Sequence, residues 1–145
     1  MKRLYPGIAL ILLIIVACRK SDSDTYSLNS AQSLIEWRGS SPVTENVGTF
    51  SIRGNDLSVK NGALVSGSFE IPISSLNVTN LPPDLKPQLT EHLKSADFFN
   101  MALYPLAKFK ITNVQPLKIT TDEAIENVNA TVNGLLTMIG VTKPV

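Results

Sequence analysis

From Tyr26 onward the chain is written mainly in period two. In "SLIEWRG" Ile35 and Trp37 share one face and Glu36 and Arg38 the other. "GTFSIRG" puts Phe50 and Ile52 together, and "GSFEIPISSLNVT" sets Phe69, Ile71 and Ile73 against Ser68, Glu70, Pro72 and Ser74. Alternation of this kind predicts strands with one face buried and one wet. "DLSVKNGALVSG" predicts a hairpin, because Asn61-Gly62 tolerates the positive φ angles that a two-residue turn demands. Pro72 has no N–H to give a ladder and marks an edge or a bulge. Further on, "AKFKITNV" sets Phe109 and Ile111 against lysines. "ENVNATVNGLLTMIGVTKPV" sets Val128, Ala130 and Val132 against asparagine and threonine, with Gly134 interrupting the strand.

One segment breaks the rhythm. "LPPDLKPQLTEHLKSADFF" carries leucines at 81, 85, 89 and 93, a helical spacing. Its prolines fit only before or within a first turn, so the predicted helix covers about residues 87–93. Ser95 is placed to cap a second short turn through Phe98 and Phe99. About seven strands and one helical insertion, with no repeat, predict a single all-β sandwich or barrel.

The first 25 residues read differently. "MKR" precedes the apolar run "GIALILLIIVA", residues 7–17, which is the layout of a secretory signal. That run is too short to span a bilayer, which takes about 20 residues. "IVAC" then places Cys18 directly after Ala17 and resembles the lipobox of bacterial lipoproteins. The resemblance implies cleavage before Cys18 and acylation of it, hence a membrane anchor in the cell envelope, as a periplasm-facing or outer-membrane lipoprotein. An ordinary signal with a chance cysteine is the alternative. Cys18 is the only cysteine, so no internal disulfide forms. Residues 18–25 read as a polar tether and 26–145 as the domain.

Charge narrows the function. Of 13 basic residues two lie in residues 1–17, which leaves 11 against 12 acidic residues, a formal charge of −1. No basic patch exists for phosphates, so a nucleic-acid partner is not expected. No G-x-S-x-G occurs, and the single histidine with scattered carboxylates makes neither an acid–base constellation nor a metal site. Asp122 and Glu123 read as a solvated turn. No enzyme activity and no cofactor are expected. His92 sits between Leu89 and Leu93, and a structural role or a place at a ligand's entrance suits it better than catalysis.

Several phrases fall in one order: "SLIEWRG", "GTF", "GSFEIPISSLNVTNL", "HLKSADFFN", "YPLAKFKITNV" and "VNATVNGLLTMIGVTKPV". Together they resemble the YceI-like family. The resemblance implies an antiparallel, lipocalin-like β-barrel with a short helical insertion and an apolar tunnel for an isoprenoid-like or fatty lipid. It gives no metal or catalytic group. The candidate lining residues are Trp37, Phe50, Phe69, Ile71, Ile73, Phe98, Phe99, Phe109, Ile111 and Val132. The alternative is a non-catalytic structural or stress-related envelope protein, in which these residues fill a packed core and the outer faces meet a protein partner. Two departures stand out. Where relatives often carry a histidine before the glycine of "GTF", this chain has Asn46, which hydrogen-bonds without titrating. Relatives also continue past "GVTKPV", so a barrel incomplete at its C-terminal side is expected.

Overall fold

The structure is a computed structural model that describes residues 23–54, 56–117 and 129–145. Among these the chain forms ten strands: β1 (Asp24–Tyr26), β2 (Leu34–Ser40), β3 (Glu45–Ser51), β4 (Leu57–Lys60), β5 (Ala63–Ser66), β6 (Ser68–Pro72), β7 (Asn77–Val78), β8 (Leu106–Pro116), β9 (Ala130–Met138) and β10 (Val141–Pro144). A 3-10 turn (Ile73–Ser75) separates β6 from β7, and one helix, α1 (Lys86–Lys94), separates β7 from β8. Every ladder is antiparallel. The all-β expectation holds. β1 begins two residues before Tyr26 and pairs with β4, so Asp24 and Thr25 belong to the sheet and not to a tether.

The ladders give three sheets, ordered β1-β4-β5, β2-β3-β7 and β10-β9-β8-β6. The last two are one surface, because β6 and β7 are successive parts of one chain run beside β3. Arg53, just past β3, exchanges backbone hydrogen bonds with Glu70 at 3.0 and 2.8 Å. Further back along β3, Thr49 pairs with Asn77 and Gly48 with Val78. Going from Arg53 to Thr49 takes four steps, while going from Glu70 to Asn77 takes seven. The 3-10 turn absorbs the three surplus residues, and Pro72 stands at its head, where a missing N–H costs the ladder nothing. Ser75 repairs the gap: its hydroxyl accepts from Ser51 N–H at 3.0 Å and donates to the Pro72 carbonyl at 2.6 Å. The inward phase changes here from Ile71 and Ile73 to Leu76 and Val78. Among the described residues no ladder joins β2 to β10, the two outer strands of this surface.

A second irregularity lies between β8 and β9. Ile111 pairs with Gly134 but Asn113 pairs with Asn133, so Thr112 is an extra residue, a bulge. Its hydroxyl donates to the Asn133 carbonyl at 3.2 Å. Inward phase moves from Ile111 to Val114. Gly134 is needed opposite, because a Cβ there would stand 2.6 Å from Cε2 of the Phe109 ring. Phe109 in turn stacks on Phe69 across the β6–β8 ladder, with centroids 6.4 Å apart.

Both tight turns carry two consecutive positive φ angles. Asn61 (52°) and Gly62 (77°) close the β4–β5 hairpin at the residues that predicted it. Ile139 (53°) and Gly140 (71°) close the β9–β10 hairpin. Sequence gave no warning of the second, since a β-branched residue is poorly suited to that conformation. The Tyr104 ring packs over Gly140, whose Cβ position would lie 3.1 Å from it.

Helix α1 extends the predicted residues 87–93 by one at each end. Pro87 lies in its first turn, as its missing N–H requires. Ser95 closes α1 as well as opening the next turn: its hydroxyl donates to the His92 carbonyl at 2.8 Å and accepts from Asp97 N–H at 3.2 Å. Leu93 is buried and Leu89 half-buried against the core, which gathers Phe50, Ile73, Leu76, Val78 and Ala107 under the helix. Leu85, the preceding leucine of that spacing, is exposed.

Candidate ligand-binding cavity

The β2–β3 hairpin supplies one wall. Its register pairs Ile35 with Phe50, Trp37 with Gly48 and Gly39 with Asn46, and these six residues share the inner face. The Trp37 ring lies over Gly48, which has room for it only because it lacks a side chain: a Cβ there would stand 2.7 Å from Cε2 and Cζ2. The indole N–H of Trp37 is buried and has no hydrogen-bond partner. Beside it the Arg38 guanidinium holds the Glu45 carboxylate at 3.1 and 3.2 Å.

The opposite wall comes from α1 and the turns after it. Phe99 meets the Phe50 ring edge-on with centroids 5.9 Å apart, and Phe98 meets Phe99 at 4.8 Å. Between these walls lies a cavity of about 490 Å³. Trp37, Phe50, Leu76, Leu89, Leu93, Phe98, Phe99 and Met138 make it apolar. Arg38, Gly39, Ser40, Ser41, Thr44 and Asn46 line its polar end. Its size falls within the ~300–1,000 Å³ of small-molecule sites, and an apolar body with a few polar groups is their usual composition.

The sequence-derived candidates divide. Trp37, Phe50, Phe98 and Phe99 come together on the cavity, with Asn46 at its polar end. Ile71 and Ile73 belong to the packed core and Ile111 is buried, so they support the walls. Phe69 and Phe109 border a separate hollow of about 330 Å³ beside Lys108 and Lys110. Val132 pairs with Val114 and lines neither space. His92 has an exposed side chain and does not line the cavity: the narrow apolar stripe of α1 runs through Leu89 and Leu93 and leaves position 92 on the flank. Its backbone carbonyl, bonded by Ser95, is the part that matters. Cys18, Asp122 and Glu123 lie outside the described residues.

Leu76 and Met138 were missed. Leu76 follows the 3-10 turn, which breaks the alternation that would have flagged it. Met138 is in phase with Leu136 and was legible in principle. Leu89 and Leu93 read as helix spacing, and nothing in that spacing says what the helix covers.

Elsewhere, Asp56 accepts from Ser68 Oγ at 2.7 Å and from Ser68 N–H at 3.0 Å, and these bonds lower its pKa below the ordinary 3.8. Among the described residues no group of three or more His, Cys, Asp or Glu is placed to hold a metal ion, and no helix is long and apolar enough to cross a membrane.

A model of the YceI-like domain matches residues 26–145, which takes in both walls of the cavity. The chain belongs to the YceI-like family. A search of curated proteins found no match. YceI-like proteins are lipid-binding in general. In this YceI-like domain the matched region runs from inside β1 to Val145, so the resemblance seen in the scattered sequence phrases extends across the fold.

Proposed function

We propose that this YceI-like protein holds the apolar chain of one isoprenoid-like or fatty lipid in the cavity beneath α1, as a carrier or scavenger without catalytic activity. The observation that carries the reading is the cavity itself: about 490 Å³, walled by aromatic and aliphatic side chains from four parts of the fold and polar only at one end. Membership of a lipid-binding family supports it. Filling the space with a hydrocarbon chain removes apolar surface from water on both partners, at about 25 cal/mol per Å² before ordering costs. The protein is proposed to act at the envelope, facing the periplasm, tethered through acylated Cys18; the signal-like run before that cysteine supports this placement.

Mass spectrometry of organic extracts from the purified protein tests the lipid reading. A co-purifying amphiphile is expected from the wild type. Leu89→Trp, which fills the cavity from the helix side, should lose it while keeping the same circular dichroism. Equal lipid content in the two proteins, or none in the wild type after extraction in several solvents, would overturn the proposal. Labelling with radioactive palmitate tests the tether: label should enter the wild type and be absent from Cys18→Ser.

A further inference from the structure

The rim of the cavity carries apolar side chains that nothing in the fold covers. Resting on the lipid-carrier reading, we infer that the tip of the β2–β3 hairpin, with Leu85 and Phe98 on the α1 side, is a docking surface for an electrically neutral bilayer, and that docking there sets the rate at which the cavity loads.

The rim residues are the first reason. Ser41 and Thr44 line the cavity, and Val43 between them is 89% exposed. On the other wall Phe98 lines the cavity and still meets solvent. Leu85, one helical turn ahead of the lining residue Leu89, is exposed as well. Asn80 ties the segment leading into α1 to the hairpin: it accepts from Val47 N–H at 3.0 Å and donates to the Glu45 carbonyl at 2.9 Å. The construction of the tip is the second reason. Ser41 N–H donates to the Thr44 carbonyl at 2.8 Å. Ser41 Oγ accepts from Thr44 N–H at 3.1 Å and from Val43 N–H at 3.4 Å, and pairs with Thr44 Oγ1 at 2.8 Å. Pro42 has no N–H, so every backbone donor from Ser41 to Thr44 is served inside the turn. A turn in water has no need of this, because solvent serves its donors. A turn entering the poorly hydrated margin of a bilayer does need it, since an unpaired polar group there is costly.

Charge is the third reason. Arg38 is paired with Glu45, Asp84 and Lys86 flank Leu85, and Asp97 precedes Phe98 three residues after Lys94. Positive and negative groups balance around the rim, which suits a zwitterionic surface and gives no preference for an anionic one. A protein partner fits less well. A specific protein interface takes about 800 Å² from each side, and three side chains parted by an opening do not make such a face. They do suit shallow insertion, in which each apolar side chain enters the interface separately. A bilayer is also where a water-insoluble chain resides, so a rim that enters it takes up the chain without exposing it to water.

Phosphatidylcholine vesicles, with and without geranylgeraniol, test this on residues 18–145, which hold every described element of the fold, with Cys18→Ser so that no acyl chain contributes. Trp37, the only tryptophan and a cavity-wall residue, reports loading by its fluorescence. Flotation should recover the protein with empty vesicles, to the same extent at low and high salt. Val43→Ser should weaken that binding about tenfold, the worth of burying one aliphatic side chain, and should slow loading from vesicles by a similar factor. Its affinity for geranylgeraniol added from ethanol should match the wild type. Val65→Ser, the same change at an exposed valine on β5, should alter neither. Wild-type protein that stays off the vesicles would overturn the inference, as would equal effects of the two substitutions or a Val43→Ser defect that persists with geranylgeraniol from ethanol. If the wild type takes up geranylgeraniol from ethanol and one of these results is found, the lipid reading stands and the docking surface falls. If it takes up none from either source, both fall.

Discussion

At the scale of single residues, the site depends on what is absent as much as on what is present. Gly48 is required by the Trp37 ring on one side and the Asn77 carbonyl on the other. Gly48→Ala forces both of them to move, and overpacking of this kind costs about 1–3 kcal/mol. A lowered midpoint in urea denaturation, with altered Trp37 emission, is the expected result. Asp56 gives a pH test. Its folded-state pKa is depressed by the Ser68 hydrogen bonds, so the stabilisation is present above the unfolded value and is lost as pH falls through the folded one. The melting temperature of the wild type should therefore exceed that of Asp56→Asn near neutral pH, and the gap should close under acid conditions below the ordinary carboxylate range. Sequence reading found Trp37 and Phe50 because each stands in an unbroken alternation, and Asn46 only through the family resemblance. It could not place His92, because adjacency to two leucines in a short helix says little about which flank is covered.

At the scale of elements, each two-residue hairpin illustrates a different limit of legibility. Asn61-Gly62 was readable because the residue types suit the turn. Ile139-Gly140 was not, because tertiary packing of Tyr104 and the β9–β10 ladder hold isoleucine where it is disfavoured. That conformation costs an L-residue with a Cβ roughly 1–2 kcal/mol. Ile139 is 40% exposed and gives up little burial, so Ile139→Gly should raise the melting temperature despite the smaller side chain. A fall in melting temperature would show that its packing outweighs the strain. Helix α1 has no side-chain cap at its N-terminus and nine residues, so it depends on packing. Leu93→Ala, at a buried position beside the cavity, should cost about 2–5 kcal/mol and weaken lipid retention together.

For the molecule as a whole, strand alternation disclosed the all-β class, and the order of short phrases disclosed the family. Neither disclosed the cavity, because its walls meet only when β2–β3, the segment after the 3-10 turn, α1 and the end of β9 come together. A ligand bound only by the folded state stabilises it by mass action. Delipidated protein should accordingly melt lower than protein as purified, and adding back the extract should restore the difference. The bulge at Thr112 carries a consequence for chain length. Because Thr112 has no partner residue across the ladder, removing it would leave Ile111 and Val114 on the face they already occupy. Removing Phe109 instead would turn every later side chain of β8 inside out. This sheet therefore has a position at which the gene can lose a codon without scrambling its interior, and variation in length between relatives is expected to gather there and at residues 73–75, where surplus residues already sit outside the ladder.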